Sequence, residues 1–131
     1  MKIVLAIISR LNRQKQNEYL LVSTKDYYGK FTGFYYPPGG HLDKGESEKE
    51  CLYRELKEEL GLELLEAEKI AETKADTPGD VLVWYSCRVK SLELDPDKSE
   101  LNKAGFFTRE EMEKLKVWPA TRNFFQEHIK D

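Results

Sequence analysis

Three glutamates, Glu55, Glu58 and Glu59, stand close together beside Arg54, and they carry the most reactive grouping in the chain. If the segment is helical, a turn of about 100° per residue puts all three carboxylates in one arc. Glu55 and Glu59 are then an i,i+4 pair and Glu55 and Glu58 an i,i+3 pair. Each like-charge pair costs a helix about 0.2–0.5 kcal/mol. A divalent cation reverses that sign. Mg²⁺ suits the set, because it prefers carboxylate oxygens, waters and substrate phosphates, and Mn²⁺ is compatible. Pro37-Pro38-Gly39-Gly40 lies just upstream. Glycines there let backbone approach a ligand closely and free its polar groups for coordination. The combination points to a hard cation and a phosphate-bearing substrate. A solvated acidic face is the competing reading, since Lys49 and Lys57 share the segment.

The positioning elements can be read around this segment. Ser47-Glu48-Lys49-Glu50 has the spacing of a capping box, which predicts a helix start near Ser47. Gly61 stands where a left-handed cap is expected. Leu52, Tyr53, Leu56 and Leu60 form the predicted core face, with the three glutamates in the neighbouring arc. Upstream, residues 2–11 and 18–24 are rich in Val, Ile and Leu and read as two strands of a hairpin around the polar residues 12–17. Residues 27–33 read as a loop, 34–36 as a short aromatic strand and 37–45 as irregular backbone. Downstream, residues 62–75 and 81–90 read as strands joined at Thr77-Pro78-Gly79-Asp80, a type II turn signature. Residues 91–103 form a polar connection and 105–107 a short strand. A second capping box at Thr108-Arg109-Glu110-Glu111 opens a helix to about Lys116. A last helix covers residues 120–130. Strands interspersed with helices predict an α/β fold with a mixed sheet and helices on its faces.

A chain of 131 residues fits one domain, residues 1–131, around one core. Hydrophobic residues at 40% and charged residues at 34% exclude a disordered chain. The net charge of −3 gives no basic excess, so no nucleic-acid partner is expected. A small phosphorylated ligand needs none, since a bound cation supplies the positive charge. Cys51 and Cys87 have no metal-ligand or disulfide spacing and read as buried free thiols. The apolar run 3–8 is too short to span a membrane, and no small-residue cleavage site follows it. A cytoplasmic protein is the expectation.

One motif goes further. Gly40, five residues, Glu46, seven residues, then Arg54-Glu55-Leu56-Lys57-Glu58-Glu59-Leu60-Gly61-Leu62 matches every fixed position of the Nudix box. The chain thus resembles the Nudix hydrolases, and Pro38-Gly39-Gly40 is similar to the family's lead-in. The resemblance implies an α/β/α sandwich and hydrolysis of a nucleoside diphosphate linked to another group. It implies metal binding by Glu55, Glu58 and Glu59, with the carbonyl of Gly39 as a further ligand. It makes Arg54 the residue that orients Glu55, and Glu46 a support. Glu55 is the expected base, directly or by accepting a proton from metal-bound water. Family members often use one more acid late in the fold. Glu100 is the candidate, in a stretch resembling one that ends in Trp-Phe, with Asp95 and Asp97 as alternatives.

The substrate is less legible. Tyr35 stands where many family members carry an aromatic residue, so it is a candidate base-stacking residue, with Gly39, Gly40 and His41 beside the phosphates. Tyr27, Tyr28, Phe31, Phe34 and Tyr36 cluster nearby and read mostly as core or loop packing. The expected reaction resembles the MutT type: a house-cleaning hydrolysis of nucleoside triphosphates to a monophosphate and pyrophosphate. Pro78 supports the alternative, ADP-ribose or another nucleoside diphosphate derivative, because its distance from the box resembles that of ADP-ribose hydrolases. The expectation is that the extra N-terminal segment many of those enzymes use to dimerise is missing, although a homodimer stays open. A nucleotide-binding module without catalysis ranks third, because the box is intact.

Overall fold

The computed structural model describes residues 1–130. Strands β1 (Lys2–Ile7), β2 (Ser9–Leu11) and β3 (Asn17–Thr24) come first, followed by β4 (Gly39–His41) and helix α1 (Glu48–Leu60). Next are β5 (Leu64–Lys74), β6 (Val81–Val89) and β7 (Leu101–Thr108), then α2 (Arg109–Lys114) and α3 (Pro119–His128). A four-stranded mixed sheet has the order β4-β1-β6-β5, with β1 and β6 parallel. An antiparallel three-stranded sheet has the order β2-β3-β7.

Several expectations change here. Residues 2–11 are not one strand: β1 belongs to the mixed sheet and β2 to the antiparallel one, with Ile8 between them. The hairpin partner of β3 is therefore only the short β2, paired from Ser9↔Tyr19 to Leu11↔Asn17. Gly39–His41, expected to be irregular, hydrogen-bonds to β1 as an edge strand. Residues 34–36 form no strand of their own. Tyr36 bridges Val22 and Tyr35 bridges Val117. The polar connection ends at Glu100, since β7 reaches back to Leu101 to pair with β3 from Glu18 to Thr24. Helix α2 stops at Lys114, and α3 covers Pro119–His128. The turn after β5 is as expected: Gly79 has φ +88°, and the Asp80 N–H donates to the Thr77 carbonyl at 3.2 Å. Pro78 thus has a structural reason to be where it is.

The alternation of β1 splits the core into two layers. Val4, Ala6 and Ile8 pack with Leu52, Leu56 and Leu60 of α1 on one face. Leu5 and Ile7 pack with Trp84 and with Phe124 and Phe125 of α3 on the other. Trp84 and Phe124 stack with centroids 3.9 Å apart. The result is the expected sandwich of helix, sheet and helix. Tyr53 is not on the core face. It is 43% exposed on the helix rim, where Lys57 lies over its ring. Cys51 is buried and Cys87 half-buried, both as free thiols.

Candidate active site

Helix α1 begins at the Ser47–Glu50 capping box and ends at left-handed Gly61, so its phase is fixed at both ends. That phase puts Arg54 at the centre of an acidic ring. Its Nε and one terminal nitrogen grip Glu46 at 2.7 and 3.0 Å, a two-point contact only a guanidinium makes. Its other terminal nitrogen donates to Glu55 at 2.8 Å and to Glu58 at 3.4 Å. Asp43 and the carbonyl of His41 complete the set at 3.3 and 3.4 Å. The hydrogen bond from Arg54 holds the Glu46 carboxyl down at about 2. Arg54→Lys keeps the charge and loses the fork. That variant should lower kcat about 10–100-fold with a small change in KM, as measured by steady-state kinetics.

Glu59 behaves differently. It is only 6% exposed, and one of its carboxyl oxygens is buried with no partner. Burial pushes its carboxyl up to about 9, helped by a hydrogen bond with Glu55 and the charges of Glu55, Glu100 and Glu58. Two carboxyls in such contact need a shared proton or a shared cation. Gly40 closes the arrangement from below: a Cβ there would lie 2.5 Å from the Glu55 carboxyl carbon.

Glu100 is brought to this group by its loop. The Asp97 and Asp95 N–H groups donate to the carbonyls of Glu59 and Leu60 at 2.7 and 2.9 Å, docking the loop on the end of α1. Asp97 itself is occupied by Ser99, whose N–H and hydroxyl donate to it. Asp95 packs against Gly61. Among the described residues, no three carboxylate, histidine or cysteine groups already converge as a closed cation cage. The residues nonetheless fit Mg²⁺ or Mn²⁺: the donors are all oxygen, one buried oxygen is orphaned, and Glu55 and Glu59 already face each other.

A cleft of about 370 Å³ opens on the other side of β4. That is within the usual range for small-molecule sites. Gly39, Gly40 and His41 form its inner rim, Ile3, Leu5 and Leu82 its floor, and Tyr28, Tyr36 and Trp118 its aromatic walls. Tyr35, the residue singled out from sequence, does not line it. Its ring packs edge-on against Phe107 at 5.4 Å. Tyr36 takes that place; burial raises its phenol pKa, and the charge of Glu59 adds to the rise. Tyr36 was within reach of the sequence reading as a neighbour of Tyr35. Trp118, Asp76 and Thr121 were not singled out, because only the folded chain brings them to the cleft.

The chain belongs to the Nudix family: the NUDIX domain model matches residues 2–128. Within it, the chain has the mixed α/β fold of its structural neighbours. It is 29% identical over 91 residues to the NAD-capped RNA hydrolase NudC of Pseudomonas aeruginosa, covering 70% of this chain and 32% of NudC. The chain thus spans about a third of that relative's length. MutT NUDIX hydrolase from Burkholderia pseudomallei has the same fold, with TM-score 0.78, 21% identity and 99% of each chain covered. So does the NUDIX domain of Shewanella oneidensis NrtR in complex with ADP ribose, with TM-score 0.81, 16% identity and 97% and 84% of the two chains covered.

Proposed function

We propose that this protein hydrolyses nucleoside triphosphates to a nucleoside monophosphate and pyrophosphate, using Mg²⁺ or Mn²⁺. The observation that carries the reading is the adjacency of two unlike sites. The acidic group of Glu55, Glu58, Glu59 and Glu100 and the aromatic cleft meet at Gly39-Gly40-His41. A nucleotide has that same polarity, a flat apolar ring at one end and a polyphosphate at the other. In this reading the ring enters between Tyr28, Tyr36 and Trp118, and the phosphates run past Gly40 towards α1.

Glu55, Glu58 and Glu59 would hold the cation, with Glu100 and the Gly39 carbonyl as further oxygens. The bound ion supplies charge neutralisation on the phosphates and a more acidic water. Arg54 fixes Glu55 through one oxygen, and Glu55, so oriented, would accept the proton of the attacking water beside the bound ion. The new bond is from water oxygen to phosphorus, and the bond broken is the bridging P–O, whose electrons leave with pyrophosphate. Glu46 keeps Arg54 in place from the far side.

ADP-ribose, or another nucleoside diphosphate derivative, is the second reading. It is favoured by the fold shared with the NrtR domain holding ADP ribose. A panel of nucleotides with Mg²⁺ or Mn²⁺, scored separately for pyrophosphate and monophosphate, separates the two. Pyrophosphate release from triphosphates is the expected result. AMP from ADP-ribose without triphosphate turnover would replace the first reading by the second.

A further inference from the structure

The polar lining of the cleft has one sign. Asp76 and Asp80 line it and, among the described residues, no lysine or arginine does. Asp80 is answered by the Met1 ammonium at 3.6 Å. Asp76 has a different task. Helix α3 starts at Trp118, whose side chain makes no capping hydrogen bond, and Asp76 caps it from 44 residues away. One Asp76 oxygen, Oδ2, accepts the Ala120 N–H at 3.1 Å. That bond pins the carboxylate at the cleft wall and leaves its second oxygen uncommitted. Thr121 follows Ala120 on the same helix. It is only 2% exposed, yet it lines the cleft, and among the described residues its hydroxyl takes part in no hydrogen bond.

A ring seated on Ile3, Leu5 and Leu82 would present its edge to these two groups. The uncommitted carboxylate oxygen accepts only, while a hydroxyl adapts to either role. An edge ending in a carbonyl would set lone pair against lone pair at Asp76. An edge ending in an amino group would satisfy it. Phosphate is repelled there, which keeps the polyphosphate at the α1 end. We infer that the cleft selects nucleobases with an exocyclic amino group, adenine over hypoxanthine and cytosine over uracil, through the free oxygen of Asp76 with the Thr121 hydroxyl beside it. This rests on the reading that the cleft holds the base.

Asp76→Asn is the discriminating variant. Its amide oxygen can keep the cap on Ala120, which turns the NH₂ group into the cleft and makes the acceptor a donor. Equilibrium binding by calorimetry, AMP against IMP and CMP against UMP, reads the preference without any turnover. kcat/KM for ATP against ITP and CTP against UTP reads it in the reaction. The wild type should favour the amino member of each pair about tenfold or more, and Asp76→Asn should invert the order. If Asp76→Asn folds poorly, Asp76→Ser, whose hydroxyl adapts to either role, should narrow the wild-type preference several-fold. A wild type indifferent within both pairs, or no binding of any monophosphate, overturns the inference. So does an Asp76→Asn variant, folded with a wild-type melting curve, that weakens all four ligands equally. Selective binding with no triphosphate turnover would instead leave the inference standing and remove the pyrophosphohydrolase reading.

Discussion

Glu59→Gln is expected to lower turnover of the Mg²⁺-loaded protein about 10²–10³-fold while making the metal-free protein more stable at pH 7.5. Both effects come from one buried oxygen. The folded chain holds a proton on Glu59 up to about pH 9, whereas the ordinary value is 4.5. Between those limits folding takes up a proton, so stability falls as pH rises; below about 4.5 the penalty vanishes. Gln has no charge to bury, and its amide can donate to Glu55. The gain should be about 1–3 kcal/mol at pH 7.5, the scale of an unsatisfied buried group. Metal-free thermal melts at pH 5 to 9 should slope downward in the wild type and much less in Glu59→Gln. Adding Mg²⁺ should flatten the wild-type slope. Identical slopes in both proteins would mean that Glu59 is not the strained carboxyl. Glu46 does not confuse the reading, because a carboxyl lowered from 4.5 to about 2 contributes stability that is lost only as pH falls below about 4.5, outside the pH 5 to 9 range.

The second large effect separates two adjacent glycines. In Gly39→Ala the new Cβ would lie 1.9 Å from the Val4 carbonyl oxygen, at φ +153°. Backbone meets backbone inside a β-ladder, and nothing flexible can yield, so loss of more than about 4 kcal/mol is expected. In Gly40→Ala the new Cβ would instead meet the Glu55 carboxyl group at 2.5–2.8 Å. A side-chain end can swing aside, so the fold should survive. Glu55 would leave its contacts with Arg54 and Glu59, and a displacement of about 1 Å at a reacting group can cost about 10²-fold in rate. Melting curves and kcat on the same samples decide it. A Gly40→Ala variant with more than a tenth of wild-type kcat would show that the close approach to Glu55 is not needed.

The parts of the site that were legible in the sequence are those written locally. Ser47, Glu50 and Gly61 fix helix α1, and once it is phased, the arc of Glu55, Glu58 and Glu59 follows. The burial of Glu59 alone does not follow from that arc, since Glu58 shares it and stays exposed. What decides is the 95–100 loop laid across the helix end, a contact between distant segments. The break at Ile8 was hidden because an apolar run reads alike whether its strand stays in one sheet or changes to another. Tyr35 and Tyr36 point to different environments, but a three-residue aromatic run carries no phase until its bridges to Val22 and Val117 are known. The Asp76 cap on α3 has no local signature at all.

The alternation along β1 has an evolutionary consequence. Val4 and Ala6 support the helix that bears the carboxylates, while Ile3 and Leu5 floor the cleft that would read the base. In the proposed reading, reaction and recognition hang on opposite faces of one ribbon and meet at Gly39-Gly40-His41. Drift in the floor, in Trp118 or in the turn carrying Asp76 can retune what is recognised without moving an atom of the acidic group. A lineage built on this chain could acquire new substrates by small surface steps while its hydrolytic half stays fixed.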